Sequence, residues 1–319
     1  MRTKIAIALG IVYVVWGSTY LAIAVADRTL PPLLMLAARF GLAGALLFAW
    51  SAWRGDVAAA RLSRREWTSA AIVGGLLLFV DTGGIAWAEQ RVASGLTALL
   101  VATVPLFTAL LDRTFFGLRL SFGALAGIAA GLLGVALLVG PSAHVDPVGA
   151  AVIIAAALAW AAGSAYGRVA PLPQAPFLSA GMQMLCAAAL LGVAGTAMGE
   201  GSDVHPAAVS AGSVAAFAFL VVFGSIVAFT AYGWLLRSGT PSVLVSTYAY
   251  VNPAVAVLLG WAFAGEAVGG RELAAGAIVV ASVGMLVLAR EPRSRKAPRR
   301  EQRHLESRRP ALRPPIPPR

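Results

Sequence analysis

The sequence predicts an all-α polytopic membrane protein, with ten transmembrane helices arranged as two inverted repeats of five. Three observations carry this expectation. Hydrophobic residues make up 59% of the 319-residue chain and charged residues only 12%, whereas soluble domains average about a quarter charged. The apolar residues gather into ten stretches of near-spanning length, with charge almost confined to the gaps. A spanning helix needs roughly 20 apolar residues, because the hydrocarbon core is about 30 Å thick and a helix rises 1.5 Å per residue. Finally, the ten stretches fall into two similar halves.

The first span, about 5–26, follows Arg2 and Lys4 and carries Trp16 and Tyr20. Its end, Ala24-Val25-Ala26, resembles a signal-peptide cleavage site. The run is longer than a signal h-region and has a counterpart later in the chain, so a retained helix is expected. The second span, 33–53, contains Arg39. The third, 67–88, contains Asp81, with Trp87, Glu89, Gln90 and Arg91 at its outer mouth. Pro105 interrupts the fourth, 93–111, and the fifth, 120–140, is Gly-rich. In the sixth, 148–169, stand Trp160, Gly163, Ser164 and Tyr166. The seventh, 177–197, holds Gln183 and the sole cysteine, Cys186, read as a packed small hydrophobe. No charge interrupts the apolar core of the eighth, 208–236. The ninth, 241–263, concentrates Ser242, Ser246, Tyr248, Tyr250, Asn252 and Pro253, and the tenth is 270–290. The connections are too short for a soluble domain, so helices and thin loops must do all the work.

The duplication is clearest between the fourth and ninth spans. At an offset of 148, Ser94 meets Ser242, Leu96 meets Leu244 and Pro105 meets Pro253, and the match continues to Phe115/Phe263 and Gly117/Gly265. At an offset of 144, Trp16 meets Trp160, Pro32 meets Pro176 and Arg39 meets Gln183. The offset changes across the loop near residues 54–65, as an unequal loop requires. The halves are expected at 5–140 and 148–290. Five crossings are odd, so the second half must be upside down relative to the first. Inverted repeats recur in secondary transporters, where exchanging the two conformations switches the side from which a central site is reached.

Lys and Arg set the orientation. With the N-terminus inside, ten of them precede the tail on the inner side, while only Arg28, Arg91 and Arg271 lie outside. Both termini are then cytoplasmic. Residues 291–319 form a basic, Pro-rich tail, too poor in apolar surface to offset its ordering entropy, and are expected to be disordered. No aromatic residue interleaves the basic ones, so a nucleic-acid partner is not expected. A lone cysteine excludes a Cys-based metal cluster, and His144, His205 and His304 show no ligand spacing. Neither metal nor cofactor is expected.

Several motifs resemble the drug/metabolite transporter superfamily, specifically its ten-helix exporters with two EamA domains, and within them the subgroup called YedA-like. They are Trp16-Gly17-Ser18-Thr19-Tyr20, Ala37-Ala38-Arg39-Phe40, the run 101–107 (VATVPLF) before the Gly-rich 123–140, Trp160 with Gly163-Ser164 and Tyr166, the run 246–259 (STYAYVNPAVAVLL), and Gly265-Glu266. The family's Gly-Glu before the fifth span is replaced here by Gly117-Leu118-Arg119. The resemblance covers about 5–290. It implies an inner-membrane exporter of small metabolites or drugs, with a small-molecule substrate and the lipid bilayer as partners. A homodimer is left open.

Arg39 and Asp81 are the most expensive residues to place. A charge at the bilayer centre costs at least roughly 2.5–3.5 kcal/mol, so such groups face a cavity or a partner. Each lies about 9–10 Å below the outer end of its helix, at 1.5 Å per residue. Two readings stand: Arg39 holds a substrate carboxylate with Asp81 as a proton or cation site, or the two form a structural ion pair. Substrate-path candidates are Trp16, Tyr20, Arg39, Asp81, Pro105, Trp160, Gln183, Ser246, Tyr250, Asn252 and Pro253. Pro253 removes a backbone hydrogen bond and frees a carbonyl near Ala249, and Pro105 should act alike in the fourth span. No GxxxxGK[ST] motif is present, so ATP does not drive the protein directly. An embedded enzyme would need converging acids, His or metal ligands at membrane depth, and only one deep acid exists. A sensor or scaffold that docks through its tail is the remaining alternative.

Overall fold

In the computed structural model, residues 2–60, 62–92, 94–118, 120–139, 146–264 and 269–288 are described. The expected disordered tail and the Gly265-Glu266 pair lie outside the described residues.

Ten helical segments follow one another among the described residues, with no strand. They are α1 (Arg2–Ala26), α2 (Pro32–Trp53), α3 (Arg64–Ala88), α4 (Ser94–Phe116, broken after Val101), α5 (Phe122–Val139), α6 (Pro147–Val169), α7 (Pro176–Ala197), α8 (Ala211–Arg237), α9 (Ser242–Ala264, broken after Val245) and α10 (Gly270–Leu288). Nine stretches are long and apolar enough to cross a membrane, and Phe122–Leu138 is a shorter apolar helix. A short helical turn, Asp56–Ala60, sits between α2 and α3. Prolines at the first helical position open α2, α6 and α7, where the missing N–H is not needed. Asp146 caps α6, its Oδ1 accepting from the Gly149 N–H at 2.7 Å. Helix α4 runs five residues past the expected end at 111, to a left-handed Gly117 (φ 65°) that turns the chain. That extension brings Asp112 into the bundle, at 4% exposure.

The packing follows the duplication. Helix α2 lies on α7 and α5 on α10, each against its own counterpart, while α1 contacts α8 and α9 just as α6 contacts α3 and α4. Such pairing is what a pseudo-two-fold axis in the membrane plane imposes. Glycines allow the self-paired contacts. A Cβ on Gly44 would meet the Gly181 carbonyl at 3.0 Å, and one on Gly181 the Gly44 carbonyl at 3.1 Å. Large apolar side chains such as Val14, Leu133 and Val193 point outward, where a bilayer would receive them.

A further sign of the duplication was not foreseen from the sequence. A π-helical segment interrupts α3 at Gly75–Gly83 and another interrupts α8 at Leu220–Phe229, and the 148-residue offset superposes most of the two. π-Bulges concentrate at functional positions because the extra residue re-aims side chains.

Candidate functional site

Between the halves lies a cavity of about 430 Å³. It is walled by α1, α2, α3 and α8 and floored by aromatic rings. Arg39 enters from α2, buried to 5% exposure. Its Nε donates to Ser225 Oγ at 2.8 Å, and its guanidinium lies against Gly224, where a Cβ would stand 2.7 Å from Nη2. Both of these partners belong to the π-segment of α8. Asp81 belongs to the other π-segment and lines the same cavity at 7% exposure. The two charges do not form an ion pair: among the described residues Arg39 has no carboxylate within 4.0 Å. The structural ion pair anticipated as one alternative is therefore not what holds them. The cavity separates them, and a guanidinium paired only with a hydroxyl keeps donors free for an anionic group.

The floor joins four aromatic residues. Trp16 and Trp160, repeat counterparts, meet edge to face with centroids 5.4 Å apart. Tyr232 and Tyr248 complete the cluster at 5.2 and 5.0 Å from Trp16. Hydrogen bonds pin it. Trp16 Nε1 donates to the Gly224 carbonyl at 3.1 Å, and Trp160 Nε1 donates to the Tyr232 hydroxyl at 2.8 Å. Ser164 Oγ gives its proton to the Trp160 carbonyl at 2.7 Å, so Tyr232 donates in turn to Ser164 at 2.6 Å. Asn252 reaches the cavity from α9 at 4% exposure, and its Oδ1 has no hydrogen-bond partner. A buried acceptor left unpaired is destabilising unless a ligand or water satisfies it.

Among the described residues, the cavity continues toward the face opposite the start of α1. Asp27, Ala86 and Glu89 line both the cavity and an outer vestibule of about 680 Å³. Asp27 and Glu89 stand just beyond the membrane-crossing segments. Desolvation by burial, with Glu200 nearby, pushes the Asp27 carboxyl up to about 6. Burial, with Asp27 nearby, pushes Glu89 up to about 7. Glu200 itself caps α2, accepting from the Leu33 and Leu34 N–H groups at 3.1 and 2.8 Å.

Beneath the floor the opposite end is shut. Arg168 of α6 pairs with Asp112 of α4 and donates to Ser242 of α9, with its guanidinium 4.2 Å over the Phe116 ring. This contact ties three helices across the two halves.

Of the residues singled out from the sequence, Trp16, Tyr20, Arg39, Asp81, Trp160 and Asn252 line the cavity. Five lie elsewhere. Tyr250 is fully buried between α5 and α10, its ring filling the space left by Gly131, with its hydroxyl donating to the Ile128 carbonyl at 3.4 Å. It shares a helix with Asn252, but a two-residue step turns it to the far side. Ser246 lines a small pocket beside Arg168. Gln183 lines another small cavity and bonds Ser179 at 3.0 Å. Pro105 and Pro253 do not border the main cavity. Pro105 follows the break at Ala102-Thr103, whereas Pro253 sits inside the continuous Tyr248–Ala264 helix. Sequence reasoning missed Ser225, Gly224 and the Asp112–Arg168 contact. An acid at the end of an apolar helix was the available signal for Asp112. No comparable signal marks Ser225.

The profile of the EamA-like transporter family matches residues 3–140 and again 147–288. The chain belongs to the EamA-like transporter family. Over 285 residues it is 39% identical to the inner membrane transporter YedA of Escherichia coli strain K12, covering 89% of this chain and 90% of that one. It is 27% identical over 208 residues to a Streptantibioticus cattleyicolor protein named "Probable terminal-alkyne amino-acid exporter", covering 63% and 66%. One solved crystal structure superposes with a TM-score of 0.75 over 90% of this chain and 98% of its own, at 22% identity; this likeness concerns the fold. The EamA-like chain is thus a multi-pass membrane transporter, and its central cavity is the candidate place for the molecule moved.

Proposed function

We propose that this chain is a secondary active exporter of small metabolites or drugs that carry a carboxylate or similar anionic group, working by alternating access. The observation that carries this reading is the cavity itself. It lies between two repeat halves, continues into a vestibule at one face, narrows to small cavities toward the other, and presents a buried guanidinium that no carboxylate among the described residues neutralises. A volume of about 430 Å³ suits a molecule of metabolite size. Arg39 receives the anionic group and Asn252 offers an acceptor to a donor on the same molecule. Asp81 and Glu89 are the carboxyls placed to exchange protons with the passage. The termini face the cytoplasm, by the distribution of Lys and Arg, so the open face is the outer one. The printed name of one relative, an exporter, favours outward movement.

The test is an untargeted comparison of extracellular metabolites and compound tolerance in cells with and without overexpression, repeated with Arg39→Ala. Accumulation outside that depends on Arg39 supports the reading. Equal export by Arg39→Ala, with normal insertion, removes the guanidinium from the mechanism. A chemically altered product in vesicles, in place of moved substrate, would point to an embedded enzyme.

A further inference from the structure

The large cavity has an unassigned twin. A small cavity of about 20 Å³ lies on the other side of the aromatic floor, toward the face where α1 begins. Its walls repeat those of the large one. The 144-residue offset of the first two spans carries Ile23, Met35, Leu36 and Arg39, all lining the large cavity, onto Gly167, Ser179, Ala180 and Gln183, all lining the small one. The 148-residue offset that follows the α2–α3 loop carries Asp81, Thr82, Ile85 and Glu89 onto Phe229, Thr230, Gly233 and Arg237, which also line it. Each half therefore supplies the same surface, expanded on one face and collapsed on the other.

We propose that the small cavity is the closed form of a second access path, lined by Gln183 and Thr230, and that the Arg168–Asp112–Ser242 contact is the lock that keeps it closed. The idea rests on the alternating-access reading above and adds the residues of its unseen half. When the halves exchange conformations, the Gln183 side widens as the Arg39 side narrows. Two buried polar atoms fit this role. Thr230 Oγ1, at the small cavity, and Arg168 Nε, in the lock, have no hydrogen-bond partner, so the closed side leaves donors that an opened, hydrated path would satisfy. The lock has no image on the other face. The same offsets carry Arg168 back to Ala24 and Asp112 forward to Gly260. An ion pair thus biases the molecule toward the conformation observed, with Arg168 and Asp112 acting as positioning residues.

Thr82 and Thr230 are matched reporters, identical residues at equivalent positions in the two cavities. Each is changed singly to cysteine, as Thr82→Cys or Thr230→Cys, in a Cys186→Ala background. A membrane-impermeant maleimide is then applied from one side of oriented vesicles. With the lock intact, Thr82→Cys labels from the face opposite the N-terminus and Thr230→Cys labels slowly from the N-terminal face. Adding Asp112→Asn should raise the second rate by about tenfold and lower the first, since the lock's bias sets the ratio of the two conformations. The exchange of charges, Asp112→Arg with Arg168→Asp, should restore slow labelling, which separates a lost lock from a misfolded protein. Unchanged labelling at Thr230→Cys in Asp112→Asn, or a rise at both reporters together, overturns the proposal. Neither readout requires substrate. Reciprocal labelling without export would sink only the exporter reading, and export without reciprocal labelling only this one.

Discussion

Arg39 shows how much one side chain depends on its surroundings. Its guanidinium is held by Ser225 Oγ and seated against Gly224, with Thr19 close by. Arg39→Ala should reduce export at least about a hundredfold, since a buried charge-assisted contact is worth several kcal/mol. Arg39→Lys should recover only part of this, because an ammonium lacks the planar fork. Gly224→Ala tests the seat: its Cβ would lie 2.7 Å from Arg39 Nη2, so KM should rise several-fold while insertion and abundance stay normal. Glu89 and Asp27 set the pH response. Burial raises Glu89 to about 7 and Asp27 to about 6, against unfolded values of about 4. The fold holds these protons more tightly than the unfolded chain does. Their stabilising contribution is therefore full below about pH 4 and is lost as pH rises through about 6 to 7. The charge facing the vestibule, where Arg28, Asp203, Glu200 and His205 also stand, changes over the same window. Export by Glu89→Gln measured from pH 5 to 9 should lose an inflection near 7. Asp27→Asn should move that inflection to lower pH, because the Asp27 carboxylate repels a negative charge on Glu89.

At the scale of elements, close helix contacts through glycine decide the packing. A Cβ on Gly74 of α3 would stand 2.2 Å from the Gln183 carbonyl of α7. That oxygen belongs to the backbone and cannot rotate away, so α3 or α7 must shift. Gly74→Ala is expected to destabilise the purified protein by about 1–3 kcal/mol, read as a lower midpoint in thermal unfolding in detergent. Gly41 faces only Ala188 at 3.7 Å, so Gly41→Ala, in the neighbouring helix, should leave the midpoint nearly unchanged. The π-segments of α3 and α8 belong to the same scale. One places Asp81 in the wall of Arg39's cavity and the other places Ser225 against Arg39 itself, and nothing in the apolar runs around them announces an extra residue per turn.

For the whole molecule, the proposed mechanism depends on the relation between the halves and gives residues 291–319 no part. Deleting residues 291–319 should leave export unchanged in a vesicle flux assay; a scaffold that docked through this basic segment would lose its activity. Asp81→Asn addresses coupling. If Asp81 carries the proton, the variant should lose proton-dependent uptake into inverted vesicles while still exchanging substrate. Undiminished proton-coupled uptake would exclude it.

The sequence alone determined that this chain crosses a membrane many times, that its helices come in two related sets, and that Arg39 and Asp81 lie at similar depth in consecutive helices. Those conclusions follow from local constraints: the length needed to bury a backbone in lipid, the cost of a charge there, and a repeat visible as a residue offset. What it left open was which charges pair and which polar residues face the passage. Arg39 was as compatible with Asp81 as with Ser225, and Tyr250 as compatible with the passage as Asn252. Only the tertiary structure decided these, by the rotation of α9, the π-turns in α3 and α8, and the extension of α4 to Phe116. Such features depend on helices meeting at long sequence separation, where a shift of a single residue turns a side chain by about 100° and moves it from cavity to core.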